Sequence, residues 1–347
     1  MKLTIVIPTW NRKQFLEGSI TRILKLINDN NAEDFFINLF VFNNCSTDGT
    51  NLYLKNLQQI IGSKKILQIF NSSFHSDGGF SIYQSILYGG FDSDWVWLHG
   101  DDDIISDSIT PEILYSTLLT AKNKDLKTII ACGLETLNSD FDNEITLKLS
   151  EACNNCGFIN TLGWISGLIF SPQKVLSNYF LASNQIYWQS PYVHSFILFK
   201  TFYDSACLIW NLNIINPQDT RKQDEIDERW NSENILDRFS YILPSFLNLF
   251  NEHKEFKPEK NFFRMHTWSY IAFITNQIYR NTLNKSLHPQ HHEIMNCISK
   301  IIPFVMNTNS SNELRQNINL IRSLLDGKSV DPSMNLASLR FPPSLIV

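Results

Sequence analysis

The sequence of 347 residues is long enough to bury a large core, and usual domain sizes predict about two domains, or one large domain with an appendage. Hydrophobic residues make up 43% and charged residues 18% of the chain, a composition that argues against bulk disorder and favours an ordinary globular protein. The formal charge of -5 provides no basic face of the kind that binds nucleic acid, so no polynucleotide partner is expected.

The first segment and the cysteines predict the compartment. Residues 1–8 (MKLTIVIP) are apolar but run directly into polar residues, so they predict a first strand and not a signal peptide. No later segment has the roughly 18 uninterrupted apolar residues of a membrane span. The six cysteines are scattered, which favours free thiols and a cytoplasmic location. Cys153 and Cys156 have CxxC spacing, but no second pair completes a zinc site, so we interpret them as ordinary thiols.

The first hundred residues alternate between strand and helix patterns. Residues 3–7 predict a strand that ends at Pro8, and apolar residues over 15–27 recur at helical spacing. A strand over 36–42, a polar loop over 43–50 and a helix over 52–61 repeat this order. A strand over 66–70, a helix over 80–90 and a strand over 95–98 follow. This alternation predicts a parallel α/β sheet.

The pattern changes in the second half of the chain. Residues 127–132 and 163–170 are strand-like, whereas 235–250 and 268–278 have helical spacing. We therefore expect an α/β domain over 1–215 and a mainly helical C-terminal region over 216–347.

Three polar clusters, at 8–12, 43–50 and 99–103, follow directly after predicted strands. In an open α/β sheet, ligands bind beyond the carboxyl ends of the strands, so the clusters should meet at one edge. The last cluster contains three consecutive carboxylates, Asp101, Asp102 and Asp103. A loop followed by a helix cap would need one of them. Three adjacent negative charges repel, which favours neutralisation by hydrogen-bond donors or by Mg²⁺ or Mn²⁺, ions that also take ligands from substrate phosphates.

At this point the sequence resembles the family 2 glycosyltransferases of GT-A fold. The opening segment 5–12 (IVIPTWNR) matches their first strand and loop, 44–50 (NCSTDGT) resembles their second nucleotide-contacting loop, and 97–103 (WLHGDDD) resembles their DxD metal motif. The three matches occur in the expected order and cover residues 1–110.

The resemblance implies a nucleoside-diphosphate sugar bound across the ends of the first strands. Asp101 would lie near the ribose, and Asp103 would bind the Mn²⁺ or Mg²⁺ ion that bridges the diphosphate. The implied donor-binding residues are Pro8, Thr9, Asn11, Asn44, Asp48, Gly79, Asp101 and Asp102. The sequence departs from the pattern at Asn43 or Asn44, where many members carry an acidic residue. An amide supplies no charge, so the identity of the nucleotide base stays open. Asp48 could instead belong to a turn and helix cap, and Gly79 to an ordinary turn.

A sugar transfer with inversion also needs a base that takes the proton of the acceptor hydroxyl. In this family that residue often belongs to a Glu-Asp pair, which is missing between 160 and 205. His194 follows Pro191 where the corresponding helix could begin, and Asp224 and Glu225 lie in a later acidic run. The competing interpretation of His194 is a histidine packed beside Phe196. For Asp224 and Glu225 it is a solvated helix face.

The expected function is transfer of a hexose or deoxyhexose from a nucleoside-diphosphate sugar to a saccharide or lipid-linked saccharide in polysaccharide assembly. A lipid-linked acceptor would bring the C-terminal helices to the inner face of the membrane as a peripheral contact. Nucleotidyl transfer is disfavoured because residues 9–12 do not form a Gly-rich basic phosphate loop. A degenerate module that binds glycans or a partner without turnover is the alternative from another class.

Overall fold

The computed structural model describes residues 1–62, 66–131, 144–178, 185–210, 212–217, 241–259, 262 and 300. Within these ranges the strands are β1 (Lys2–Thr9), β2 (Phe36–Asn43), β3 (Leu67–Asn71), β4 (Trp95–Leu98), β5 (Asp103–Ile105), β6 (Thr128–Ala131), β7 (Glu144–Lys148), β8 (Leu168–Phe170), β9 (Ala206–Trp210) and β10 (Ile215–Pro217).

The helices in the same ranges are α1 (Lys13–Asn28), α2 (Thr50–Ile61), α3 (Gly78–Gly90), α4 (Pro111–Asn123), α5 (Leu149–Cys156), α6 (Phe158–Leu162), α7 (Gln173–Ser177), α8 (Gln185–Trp188), α9 (Val193–Phe202) and α10 (Ile242–Glu252). A 3₁₀ turn, Ile165–Gly167, precedes β8. Local chemistry accounts for the ends of several helices. At the start of α4, for example, the Thr110 side chain accepts a hydrogen bond from the Ile113 N–H and Pro111 occupies the first turn.

Eight strands form one sheet in the order β3-β2-β1-β4-β8-β6-β9-β7. Strands β1 to β4 are parallel, whereas β8 runs antiparallel to both β4 and β6. A second, two-stranded sheet pairs β5 with β10, and in it Asp103 lies opposite Pro217. The carboxyl ends of β1, β2, β3 and β4 therefore meet at one edge.

Helices on both faces bury the sheet, which explains why β1 is a continuous aliphatic run and not an alternating one. Leu3, Ile5 and Ile7 belong to one hydrophobic cluster, together with side chains of α1 and α4. Val6 faces the opposite cluster, which contains residues of α3, α5, α9 and α10. Both clusters are anchored by aliphatic and aromatic side chains with almost no solvent exposure.

The predicted α/β sheet flanked by helices is confirmed, with one correction. The sequence predicted a parallel sheet, but β7 and β8 are antiparallel to their neighbours. An apolar run marks a buried strand without encoding its direction, and here the chain reverses before β8. The run 163–170, predicted as one strand, contains the 3₁₀ turn and only a short strand, Leu168–Phe170.

Most of the predicted helical C-terminal region, including 268–278, lies outside the described residues. Among the elements described here are α10, which overlaps the helix expected over 235–250 and ends two residues later at Glu252, and β10, which begins at the proposed domain boundary.

Candidate functional site

A cavity of about 680 Å³ opens at the carboxyl edge of the parallel strands. Loops that follow β1, β2, β3 and β4 all contribute to its wall, as the sheet topology requires. Six residues expected from sequence line it: Pro8, Thr9, Asn44, Gly79, Asp101 and Asp102.

Arg12 neutralises two of the three carboxylates. Its Nη1 lies 2.7 Å from Asp101 Oδ1 and its Nη2 lies 2.6 Å from Asp102 Oδ2. Thr9 Oγ1 donates a hydrogen bond of 2.8 Å to the other oxygen of Asp101. Burial of the guanidinium works toward a lower pKa, but the charges of Asp101 and Asp102 outweigh it and raise the pKa of Arg12. The cavity wall therefore carries a fixed cation between two carboxylates.

The side chain of Asp103 is hydrogen-bonded to the 3₁₀ turn Ile165–Gly167. Ser166, which is fully buried in the 3₁₀ turn, donates a hydrogen bond of 2.5 Å to Asp103 Oδ2 and accepts one of 2.8 Å from the Gly100 N–H. The Trp97 indole N–H in turn donates to the Ser166 carbonyl at 2.8 Å. This network fixes the turn that presents the acidic triplet.

His99 supports the same turn from inside the protein. Its Nε2 lies 3.1 Å from the Asp103 carbonyl, and burial lowers the pKa of His99 to about 4. The histidine is therefore neutral near pH 7 and can donate to that carbonyl.

Oxygen atoms converge on Gly100. A methyl group at this glycine would lie 3.1 Å from Asp103 Oδ2, and 3.3 Å from both Asp102 Oδ1 and Ser166 Oγ. Carboxylate and hydroxyl oxygens are the ligands that Mg²⁺ and Mn²⁺ prefer, so the chemistry of this set fits such an ion. In the described part of the chain, no group of three or more His, Cys, Asp or Glu residues is placed to hold a metal by itself.

Asn11 ties the loop after β1 to the loop after β2. Its backbone is left-handed, with φ of 51°, and its Oδ1 accepts a 2.7 Å hydrogen bond from the Thr47 N–H. The Asn11 N–H donates to Ser46 Oγ at 2.9 Å, and Cys45 also has a left-handed backbone, with φ of 62°. Asparagine tolerates this conformation better than most residues, so Asn11 shapes the loops beside the cavity.

Asn44 connects the loop after β2 with the loop after β3. Its Oδ1 accepts hydrogen bonds of 3.0 Å from both the N–H and the hydroxyl of Ser76, and its Nδ2 donates to the Ser76 carbonyl at 2.8 Å. Both ends of the amide are used, which explains why an amide and not a carboxylate suits this position.

Asp48 has the contacts of a helix cap, the alternative considered above. Its carboxylate accepts hydrogen bonds from the Lys13 N–H at the start of α1 and from the N–H and hydroxyl of Thr50. Burial works toward a higher pKa, but these hydrogen bonds prevail and lower the pKa of Asp48. Asp48 lines a separate, smaller pocket beside Asn11 and Lys13.

His194, the predicted catalytic residue that the structure describes, does not line the cavity. His194 is only 2% exposed within α9, where its Nε2 lies 3.3 Å from the Gly163 carbonyl, and burial lowers its pKa to about 4. Asp224 and Glu225 lie outside the described residues.

Several residues at the site were not singled out from sequence. Arg12 lies in the motif 5–12, but the sequence analysis predicted no function for it. Its position directly after the first strand could have indicated that it lies at the site. Ser166 is 63 positions from Asp103, and no local pattern connects them. His75, Asp77 and Gln189 line the cavity and also a second, adjoining cavity of about 760 Å³, which Phe80, Gln185 and Trp188 complete.

None of the helices in the described ranges is both long enough and apolar enough to cross a bilayer.

Residues 4–118 match the family model described as glycosyl transferase family 2. An uncharacterized glycosyltransferase of Mycoplasma genitalium is 33% identical over 108 residues, which are 30% of this chain and 34% of the relative. The matched segment thus spans about a third of that relative. The resemblance seen in the three sequence motifs is thus confirmed over residues 4–118.

Two solved structures are similar over most of the chain. Residues 1–349 of S. aureus TarS in complex with UDP show 14% identity, coverage of 95% of this chain and 93% of that one, and a TM-score of 0.46. The mannosyltransferase PcManGT from Pyrobaculum calidifontis, in complex with GDP-Man and Mn²⁺, shows 10% identity, coverage of 93% and 84%, and a TM-score of 0.47.

Proposed function

We propose that this chain, residues 4–118 of which match the glycosyl transferase family 2 model, moves a hexose or deoxyhexose from a nucleoside-diphosphate sugar to a saccharide or lipid-linked saccharide with inversion. The observation that carries the proposal is the cavity where four strand-end loops meet, with Asp101 and Asp102 on its wall. Its volume of about 680 Å³ lies within the range of small-molecule sites, about 300–1,000 Å³.

The donor would lie across the strand ends, with its base and ribose near Pro8, Thr9 and Asn44. Arg12 is the cation nearest to both carboxylates of the cavity wall, and its guanidinium fork suits a diphosphate. In the absence of a donor, Arg12 keeps Asp101 and Asp102 neutralised, so the two carboxylates can stay close together.

Asp103, with Asp102 beside it, would hold Mn²⁺ or Mg²⁺. Such an ion, when bound, stabilises the negative charge that develops on the departing nucleoside diphosphate. Ser166 and the Gly100 N–H orient the turn that carries both carboxylates, so the chain prepares the geometry before any ion arrives.

The second cavity is suited to a saccharide acceptor. Phe80 and Trp188 contribute aromatic surface, with ring centroids 5.0 Å apart, and Gln185 and Gln189 contribute amides. Aromatic faces pack against sugar C–H groups, and amides pair with hydroxyls. A lipid-linked acceptor would place the enzyme at the cytoplasmic face of a membrane.

The second candidate is a degenerate module that binds glycans without turnover. Two features favour it: the chain has Asn43 or Asn44 where the family resemblance implies an acidic residue, and the histidine expected to act as the base is buried and does not line the cavity. Release of nucleoside diphosphate distinguishes the two candidates, because a binding module releases none.

The test measures thermal stability and nucleoside-diphosphate release with a panel of UDP, TDP and GDP sugars, each with Mn²⁺, Mg²⁺ or a chelator. A bound donor raises the melting temperature by mass action. We expect metal-dependent stabilisation and slow release, both lost in Asp103→Ala and retained in Asp29→Ala, a control at the far end of α1. If no nucleotide sugar stabilises the wild-type protein with either metal, the transferase proposal is wrong.

A further inference from the structure

The proposed transfer requires a base close to the point where the acceptor meets the donor sugar. General bases act within hydrogen-bond reach of the proton that they remove, so geometry is the first criterion. His194 does not line either cavity, so the carboxylates that do line them are better candidates for the base.

Among the residues that the structure describes, three carboxylates line the donor cavity: Asp77, Asp101 and Asp102. Asp101 and Asp102 are each ion-paired with Arg12. A carboxylate held by a guanidinium is a weak proton acceptor, because the positive charge stabilises its ionised form. The Asp77 backbone carbonyl accepts a hydrogen bond from the Ser81 N–H, but among the residues that the structure describes its carboxylate has no hydrogen-bond or ion-pair partner.

Asp77 lies where the two cavities join, since it lines both of them. It is the N-cap residue of α3, yet its side chain makes no cap hydrogen bond, so the carboxylate is not committed to the helix. Gly78 follows it, and a methyl group added there would have no neighbour within 4 Å. The space next to the carboxylate is therefore open to a ligand.

His75 is the competing base, because it lines both cavities as well. Its ring packs against Trp10 with a centroid distance of 4.3 Å, and its Nδ1 lies 3.5 Å from the Asn44 carbonyl. These contacts hold the imidazole against the cavity wall, whereas no hydrogen bond to any described residue holds the Asp77 carboxylate.

We propose that Asp77 is the general base of this enzyme, an inference that rests on the proposed transfer. The acceptor hydroxyl gives its proton to an Asp77 carboxylate oxygen while its oxygen forms the bond to the anomeric carbon. The bond from that carbon to the β-phosphate oxygen breaks, and its electron pair leaves with the nucleoside diphosphate. In hydrolysis of the donor, water takes the place of the acceptor and gives its proton to the same carboxylate.

Hydrolysis tests this role without knowledge of the acceptor. The experiment takes the nucleotide sugar and metal that best stabilise the wild-type protein, and measures release of nucleoside diphosphate by Asp77→Asn, Asp77→Glu and His75→Gln. Asparagine is as good an N-cap as aspartate, so the fold should persist. We expect Asp77→Asn to bind the nucleoside diphosphate as the wild type does, and to hydrolyse the donor on the order of 10²–10⁴-fold more slowly. Asp77→Glu should recover part of the rate.

Asp92→Asn, beyond the opposite end of α3, is the matched control and should hydrolyse at the wild-type rate. Hydrolysis by Asp77→Asn within twofold of the wild type, or a larger loss in His75→Gln than in Asp77→Asn, would overturn the assignment. A wild-type protein that binds no nucleotide sugar contradicts the proposed transferase itself, so the two failures are distinguishable.

Discussion

Arg12 controls the charge balance of the cavity. It pairs with two carboxylates that are largely buried, and 21% of its own side chain is exposed. Removing one partner of a fully buried pair costs about 3–5 kcal/mol, so a smaller loss is expected here. Arg12→Gln should lower the free energy of unfolding in a chelator, and Mn²⁺ should then stabilise the variant more than the wild type.

Urea unfolding with and without Mn²⁺ measures both effects. Lys25→Gln, on the exposed side of the same helix, is the control and should change neither value. Equal stability of Arg12→Gln and the wild type in a chelator would show that the carboxylates do not depend on this cation.

His194 makes stability depend on pH. Its pKa of about 4 in the folded protein lies below the ordinary value of 6.5, so the unfolded chain binds the proton more readily between these values. The free energy of unfolding should therefore fall as pH decreases from 6.5 toward 4, by at most about 1.4 kcal/mol per pH unit from this residue.

Urea unfolding of His194→Gln across this window checks the contribution, because glutamine can still donate to the Gly163 carbonyl. The variant should show a shallower pH dependence than the wild type. Between pH 7 and 9 the two curves should run parallel, since the imidazole is neutral in both states. Equal slopes below pH 6.5 would contradict the prediction.

At the level of elements, the first turn of α3 packs closely against the end of α8 and the residues that follow it. A methyl group at Gly79 would lie 2.4 Å from the carbonyl oxygens of both Trp188 and Ser190. These are backbone atoms, so the two elements must separate. Gly79→Ala should lower the free energy of unfolding by about 1–3 kcal/mol, the usual cost of overpacking, and should reshape both cavities.

Gly78→Ala is the matched control, because a methyl group there meets no atom within 4 Å. It should be neutral, or stabilising by up to about 1 kcal/mol, since alanine favours the helix more than glycine does. Thermal unfolding of both variants measures the difference. Equal effects of the two substitutions would show that the close contact at Gly79 does not limit stability.

The elements that sequence analysis predicted best are those whose pattern is local. The apolar runs of β1, β2 and β4 and the polar loops that follow them were sufficient to predict that Pro8, Thr9, Asn44 and Asp101 meet at one cavity. The direction of β8 depends on where the chain reverses, and no apolar run contains that information. Ser166 bonds Asp103 from 63 positions away, and Asp77 lines the cavity beside residues distant in sequence, so only the folded arrangement reveals their places at the site.

For the whole molecule, the proposed boundary at residue 215 separates elements that pack together. β10 begins at Ile215 and pairs with β5, which starts at Asp103. Further along, Ile242, Phe246 and Leu249 of α10 are buried in the same cluster as side chains of α3 and α9. The eight-stranded sheet and the described part of the C-terminal region therefore share one hydrophobic core.

A chain truncated after residue 215 should lose the packing of α10 against α3 and α9. The truncation deletes three large buried side chains and uncovers the residues of α3 and α9 in the same cluster; burial of each such side chain contributes about 1.5–3 kcal/mol, together a large part of the stability of a typical domain. We expect fragment 1–215 to aggregate or to unfold at much lower urea concentration than fragment 1–262, which keeps β10 and α10. Circular dichroism and size-exclusion chromatography compare them. Equal stability of the fragments would support an independent domain that ends at 215.

The partial exposure of Cys45 has a practical consequence. Cys45 is half-buried in the loop beside Asn44, whereas Cys153, Cys156 and Cys207 are buried. Among the cysteines that the structure describes, a maleimide dye would thus react first with a thiol adjacent to the cavity. The native chain provides an attachment point for a fluorescent reporter of cavity occupancy.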